Sequence, residues 1–327
     1  MTIPLLSIVN PAPVLVERLQ AAGFELRVTS QYGTRAEAVA SNADARAVMT
    51  SGTQGLTAGE IDALPALELI CAMGAGFEGI DLAAANARGI VITNGAGTNA
   101  NAVADHAFAL VMALASTLVP HDAIVRRGDW PKLNERRRAP GEPSPAAGLP
   151  PKIGVFGKKL GILGLGVIGR KIAERGAGGF GMAVAYHSRR QVEDAPYRYE
   201  PSLVDLAAWA DFLVCAAPGG SETRRLVNRD VLTAIGPEGY LVNIGRGSVV
   251  DTAARIEALE GERIAGAGLD VVEGEPEVPP RLRAARRVVL TPHFAGRSPE
   301  SAAASQEMLA ANLTAWFAGE PVRNRVN

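Results

Sequence analysis

At 327 residues, 47% of them hydrophobic, the chain is more than twice the length of about 150 expected of one domain and can fill two cores. Its 33 Lys+Arg against 34 Asp+Glu leave a net charge of -1, which provides no overall field for gripping nucleic acid or an anionic membrane. The start, MTIPLLSIVNPAPV, has no basic residues and breaks at Asn and Pro, unlike a signal peptide; with Cys71 and Cys215 each inside an apolar run, a reducing cytoplasm and two buried thiols are expected.

From the N-terminus, short β-rich runs alternate with Ala-rich helical stretches: LLSIVN, PAPVLVERLQAAG, FELRVT, ALELICAM, IDLAAANARG and IVITNG. The alternation predicts a parallel α/β unit. Asp105 and His106 then lead into AFALVMALASTLVP, shorter than the roughly 18 apolar residues of a membrane span. It predicts one buried helix, packed between domains or on a second subunit, and His106 is read as structural. The following RRGDWPKLNERRRAPGEPSPAAGLPPK is too rich in proline for a regular helix and reads as an exposed excursion, with Arg136, Arg137 and Arg138 on a solvated face. A second alternating series follows in KKLGILGLG, AVAYHS, DFLVCAAP, GYLVNIGRG, AGAGLDVV and RVVLTPH. The last helix, ESAAASQEMLAANLTAWFAGE, ends at Gly319 and Pro321 and can return to the first unit. The expected fold is therefore α/β, with two doubly wound parallel-sheet domains: a discontinuous flavodoxin-like one (1–99 and 294–327) and a Rossmann one (100–293).

The segment LGILGLGVIGRKIAERG sets Gly164, Gly166 and Gly169 as G-x-G-x-x-G between a strand and a helix. Gly164 permits the tight turn, Gly166 lets the backbone approach a pyrophosphate, and Gly169 allows close packing of helix on strand. The backbone N–H groups of Val167 and Ile168 would face the phosphates at the positive end of that helix. About 20 residues on, where an NAD site carries an acid for the ribose hydroxyls, the chain reads Ser188, Arg189 and Arg190. A hydroxyl and two guanidinium groups suit a 2'-phosphate, so NADP(H) is the expected cofactor, with NAD(H) possible. Ala217 and Pro218, ending DFLVCAAP, are assigned to the same cofactor.

Three later strand ends carry polar groups that a structural sheet does not need: Arg246, Asp270 with Glu275, and His293. Ligands bind beyond the carboxyl ends of strands in open α/β sheets, which puts all three on the cofactor side. Taken in order, the glycine turn, N-x-G-R-G, G-L-D-V-x-x-x-E-P and T-P-H resemble the D-isomer-specific 2-hydroxyacid dehydrogenases, essentially from end to end. The resemblance implies an active site in an interdomain cleft and a homodimer. It also implies that Arg246 binds a 2-oxo acid, that His293 is the general acid paired with Glu275, and that Asp270 meets the nicotinamide carboxamide. Negative charge develops on the carbonyl oxygen as hydride arrives, and a protonated imidazole held by a carboxylate can quench it while Arg246 holds the substrate in line.

In the first domain, MGAGFEGID resembles the family's substrate loop, with the backbone of Ala75 and Gly76 on the substrate carboxylate. Asn99, in NGAGTNANAVADHA, faces the substrate or caps the long helix. Where many members continue T-P-H with a glycine pair or Gly-Ser, this chain has FAGRSPES, and the additional Arg297 reads as an exposed helix-start residue. No metal site is expected. The resulting expectation is an NADPH-dependent reductase of small 2-oxo acids such as glyoxylate or hydroxypyruvate. The alternatives are a dehydrogenase of a phosphorylated hydroxy acid, of the phosphoglycerate or erythronate-phosphate type, and a nucleotide-sensing corepressor of the same fold.

Overall fold

The computed structural model describes residues 2–327, which divide into two compact units: the chain as far as Ala100 with Arg297–Asn327, and Asn101–Gly296. In the first unit, β1 (Ile3–Ser7), β2 (Phe24–Val28), β3 (Ala47–Ser51), β4 (Leu69–Met73) and β5 (Val91–Thr93) form one parallel sheet in the order β2-β1-β3-β4-β5. That is the flavodoxin-like order. Helices cover both faces, so β3 and β4 are buried through four successive residues instead of alternating. The strand β3 is absent from the runs read off the sequence, because AVMTS carries neither alternation nor a cluster of β-branched residues. Helix starts are locally encoded: Thr34 with Glu37 and Thr57 with Glu60 form capping boxes, and Asp81 caps Leu82–Ala87. The terminal helix Pro299–Phe317, capped by Ser298, packs Leu309, Ala310 and Leu313 against Leu5, Phe24 and Leu69 of the first sheet.

The second unit holds β6 (Lys159–Leu163), β7 (Ala183–His187), β8 (Arg198–Tyr199), β9 (Phe212–Cys215), β10 (Tyr240–Asn243), β11 (Gly266–Leu269) and β12 (Val288–Leu290). All are parallel, in the order β12-β11-β10-β9-β6-β7-β8, a Rossmann arrangement whose direction of winding reverses between β6 and β9. One row of register partners crosses this sheet: His187, Leu163, Cys215, Asn243, Leu269 and Leu290. The six strands β7, β6, β9, β10, β11 and β12 therefore end at the same level, along an edge of roughly 24 Å at about 4.8 Å per strand.

The apolar stretch after His106 is two helices, Ala100–Ala115 and Leu118–Arg126, bent by 62°. This corrects the expectation of one continuous helix. The Ser116 hydroxyl donates back to the Met112 carbonyl, and Thr117 takes a left-handed conformation with φ 49°, which ends the first helix. No single helix among the described residues is long and apolar enough to cross a membrane. The Pro-rich excursion holds only two short 3-10 turns, Trp130–Leu133 and Glu135–Arg137, and Arg287 donates to the Gly148 carbonyl at 3.1 Å to tie its end down. Both cysteines are buried and unbridged, and burial pushes each thiol up to about 12.

One residue contradicts the local rules of a core. Arg255, in the helix Thr252–Glu260, is fully buried, and its Nε and both Nη atoms have no hydrogen-bond partner among the described residues. Burial pushes the guanidinium down to about 10, opposed by Cys215, Glu273 and Asp251. A charge held this way costs more than an apolar chain of similar shape. Arg255→Met, which keeps the straight stem, is expected to stabilise the protein by about 1 to 4 kcal/mol in denaturant unfolding. A lower unfolding midpoint would mean that the guanidinium is satisfied after all.

Candidate active site

The glycine turn follows β6. Gly164 has φ 96°, and a side chain on it would meet the Ala217 backbone at 3.0 Å, which is where Ala217 enters the site: as a wall under the turn. A Cβ on Gly169 would sit 2.0 Å from the Gly164 carbonyl, so the helix Val167–Phe180 can lie against the turn only with glycine there. Gly166 differs from both. It is the N-cap, with an ordinary φ of -75° and no side-chain cap, and a Cβ on it would touch nothing within 4 Å. The space over Gly166 and the first-turn N–H groups of Val167 and Ile168 thus form an open cradle at the positive end of a helix, which fits the pyrophosphate of a dinucleotide.

At the end of β7, the Ser188 hydroxyl donates to the Arg190 carbonyl at 2.6 Å, and Tyr199 donates to the Ser188 carbonyl at 3.2 Å, closing a compact turn. Arg189 is highly exposed and pairs with Glu222, which lies in the 3-10 turn Ser221–Thr223 beyond β9. Arg190 is exposed too. Sequence reasoning found no carboxylate at the end of β7; the fold brings one from elsewhere, and only the topology reveals it. Pro218 is held at its carbonyl by the Thr223 hydroxyl at 2.7 Å.

Past β10, the buried Asn243 side chain accepts from Gly245 N and donates to the Arg246 carbonyl, both at 3.1 Å. Gly247 lies where a Cβ would be 2.0 Å from the Val272 carbonyl carbon. These contacts explain the spacing in N-x-G-R-G: asparagine and glycine shape a loop that carries Arg246 beyond the sheet edge. Asp270, directly after β11, is 2% exposed. Its carboxylate accepts from the Thr291 hydroxyl (2.7 Å), Phe294 N (3.1 Å) and Ala295 N (3.0 Å), and its carbonyl accepts from His293 N (2.8 Å). His293, after β12, has φ 48°, and its Nδ1 is hydrogen-bonded to Glu275. The other Glu275 oxygen accepts from Val272 N at 3.2 Å. Nδ1 being taken, Nε2 is the atom left to exchange a proton with a ligand. His106, read from sequence as structural, lies 2.9 Å from Thr291 Oγ1 and 3.6 Å from Asp270 Oδ1. His106 carried no sequence signal for this contact, and the T-P-H motif marks Thr291 without revealing a partner 185 positions away.

In the first unit, Gly74 has φ 79°, and the loop after it is fixed by Asn94, which donates to the Ala75 carbonyl at 2.8 Å. The N–H groups of Ala75 and Gly76 donate to no protein acceptor among the described residues, as an anion-binding turn requires. Asn99 Oδ1 likewise accepts no hydrogen bond among them, so this side chain is not acting as a helix cap. Arg297 is exposed immediately before the Ser298 cap. Among the described residues no group of three or more His, Cys, Asp or Glu side chains could hold a metal ion.

Known proteins resemble this chain over most of its length. Residues 108–295 match the D-isomer specific 2-hydroxyacid dehydrogenase, NAD binding domain. A 2-ketogluconate reductase of Gluconobacter oxydans is 37% identical over 93% of this chain and 92% of its own. A glyoxylate/hydroxypyruvate reductase of Arabidopsis thaliana is 37% identical over 86% of this chain and 83% of its own. Among solved structures, the NADPH-dependent glyoxylate/hydroxypyruvate reductase of Sinorhizobium meliloti, in complex with NADP and malonate, has a TM-score of 0.82 at 34% identity, covering 100% of this chain and 97% of that one.

The second and third glycines of the turn separate binding from folding. Gly166→Ala adds a methyl group in open space at a φ that alanine accepts, so the variant is expected to keep its melting temperature and lose dinucleotide affinity by about tenfold or more. Gly169→Ala is expected to lower the melting temperature by several degrees, because the methyl overlaps a backbone carbonyl. Calorimetry and cofactor titration on both proteins check this; undiminished affinity in Gly166→Ala would remove the cradle from the binding site.

Proposed function

This chain belongs to the D-isomer-specific 2-hydroxyacid dehydrogenases, and from that membership we propose that it uses NADPH to reduce a small 2-oxo acid of the glyoxylate or hydroxypyruvate class to the D-2-hydroxy acid. The observation that carries the reading is the Glu275–His293 pair, set by β11 and β12 on the same sheet edge as the glycine turn after β6. When bound, the nicotinamide supplies the hydride. The protein's part is to aim the substrate and to manage one proton. Arg246 offers a planar fork for the substrate carboxylate, which fixes the direction in which the neighbouring carbonyl points. His293 gives its Nε2 proton to the carbonyl oxygen as negative charge develops there. Glu275 keeps hold of Nδ1–H throughout, so the ring neither turns nor loses its second proton, and the imidazolium that precedes transfer is held beside a carboxylate.

Support for NADPH comes from the end of β7, where Ser188, Arg189 and Arg190 stand in place of an acid. The Sinorhizobium meliloti reductase, at 34% identity, is described as NADPH-dependent. Glu222 works against this preference, since it occupies Arg189 and would repel a 2'-phosphate. The preference is therefore the net of two arginines and one carboxylate at an exposed rim, and it should weaken in salt. Because one relative is a 2-ketogluconate reductase, a sugar-derived 2-oxo acid belongs beside glyoxylate and hydroxypyruvate on the substrate panel.

Steady-state turnover on that panel tests the reading. His293→Asn is expected to lose roughly 10²- to 10⁴-fold in kcat with cofactor affinity near that of the wild type; wild-type turnover would take the histidine out of the mechanism. For the cofactor, wild type is expected to favour NADPH over NADH by about tenfold or more in kcat/KM, the worth of one or two charged hydrogen bonds. Ser188→Asp combined with Arg189→Ala should shrink or invert that ratio. An unchanged ratio in the double variant would leave the turn as a solvated loop without a part in selection.

A further inference from the structure

The helix Ala100–Ala115 and the strand β11 cross in step. Alternate strand residues share a face of the sheet, and helix residues four apart share a stripe. A Cβ on Gly266 would lie 3.4 Å from Leu114 Cδ2, and one on Gly268 would lie 3.0 Å from Leu110 Cβ. Two glycines on one face of β11 thus let the helix settle almost onto the strand backbone. The next strand residue on that face is Asp270, and the next helix residue on that stripe is His106. Their meeting is set by the period of the strand and the period of the helix, running toward the carboxyl edge of the sheet.

At this meeting point the imidazole is 16% exposed, with Nε2 2.9 Å from Thr291 Oγ1 and 3.6 Å from Asp270 Oδ1. Its ring also lies edge-on to Phe294, centroids 5.0 Å apart at 72°. The hydroxyl settles where the protons are. Asp270 is surrounded by donors, so its carboxylate accepts, and the single Thr291 hydrogen goes to it at 2.7 Å. The Thr291 oxygen must then receive a hydrogen from His106, which places that hydrogen on Nε2. Thr291 and Phe294 flank Pro292 and His293, and the imidazole touches both.

We propose that His106 is a positioning residue for the reaction: by donating Nε2–H to Thr291 and packing on Phe294, it grips the loop on either side of His293 and holds the acid on its line of attack. The kinetic side of this rests on His293 being the proton donor proposed above; the position of the proton on His106 does not.

Two measurements decide it, the first without turnover. The chain has four histidines, so long-range proton–nitrogen spectra of the imidazoles can resolve His106, identified by its loss in His106→Gln. The expected state carries hydrogen on Nε2, with a signal that shifts in Thr291→Val; a bare Nε2 with hydrogen on Nδ1 would overturn the proposal. In the second, His106→Gln puts an amide nitrogen near the place of Nε2, whereas His106→Asn puts one near Nδ1. The glutamine variant is expected to keep kcat within about threefold, and the asparagine variant to lose about tenfold or more in kcat with little change in KM for the oxo acid. Thr291→Val should show the same loss and Thr291→Ser should not, which keeps the question open to decision if the asparagine variant fails to fold. Equal kcat in the glutamine and asparagine variants, or wild-type kcat in Thr291→Val, would reduce His106 to a packing residue. A wild type inert toward every 2-oxo acid would instead overturn the proposed function, and the proton position would still judge this inference by itself.

Discussion

A carboxylate with 2% of its surface exposed is tolerable only if its lone pairs are occupied, and at Asp270 they are occupied by the loop that carries His293. The Thr291 hydroxyl and the backbone N–H groups of Phe294 and Ala295 turn inward to it, and His293 N bonds the Asp270 carbonyl. With four bonds spent on one residue, the chain after β12 has little freedom left, and His293 accepts a left-handed φ of 48° as part of the arrangement. Remove the carboxylate and those N–H groups lose their acceptor, the loop relaxes, and the histidine loses its aim. Removing Glu275 instead would leave the loop in place and free the ring to turn. The two acids therefore serve different links: one shapes backbone, the other orients a side chain.

Beneath this clamp lies a constraint of register. Six parallel strands of the second unit end in a single row, so residues one to three positions past the row share an edge whatever their distance in sequence. Ser188, Gly164, Ala217, Arg246, Asp270 and His293 come from six different strand ends and need no long loop to reach that edge. Short connections keep each one stiff, which is the condition for catalysis by alignment. The glycines at 266 and 268 extend the same economy to the helix above, which would otherwise be held off β11 by side chains and would leave His106 out of reach.

How much of this is legible in the chain follows from what each feature depends on. The long-range plan is carried by local signals: apolar runs bounded by turn residues, a glycine turn between strand and helix, and Thr, Ser or Asp at helix starts. Each needs only its neighbours, so each can be read. The strand β3 is missed because burial on both faces erases the alternation that announces a strand, and Ala47 and Met49 do not replace it. The break at Thr117 is missed because apolar periodicity runs across it while a Ser116 hydroxyl decides the matter. At the site, residues with strand-end positions stand out, but Glu222 and His106 act through partners 33 or more positions away, and nothing local marks them. Arg255 is the reverse case: composition predicts a surface charge, and the fold buries it in a helix packed on the sheet.

The central claim is that this protein delivers hydride to the carbonyl carbon of a 2-oxo acid and protonates its oxygen from a fixed side. The most direct test is one incubation of the wild-type protein with hydroxypyruvate and NADPH carrying deuterium at both C4 positions, followed by chiral separation and mass analysis of the product. The account predicts D-glycerate with one deuterium bonded to C2. Unlabelled product, or the L enantiomer, would contradict it.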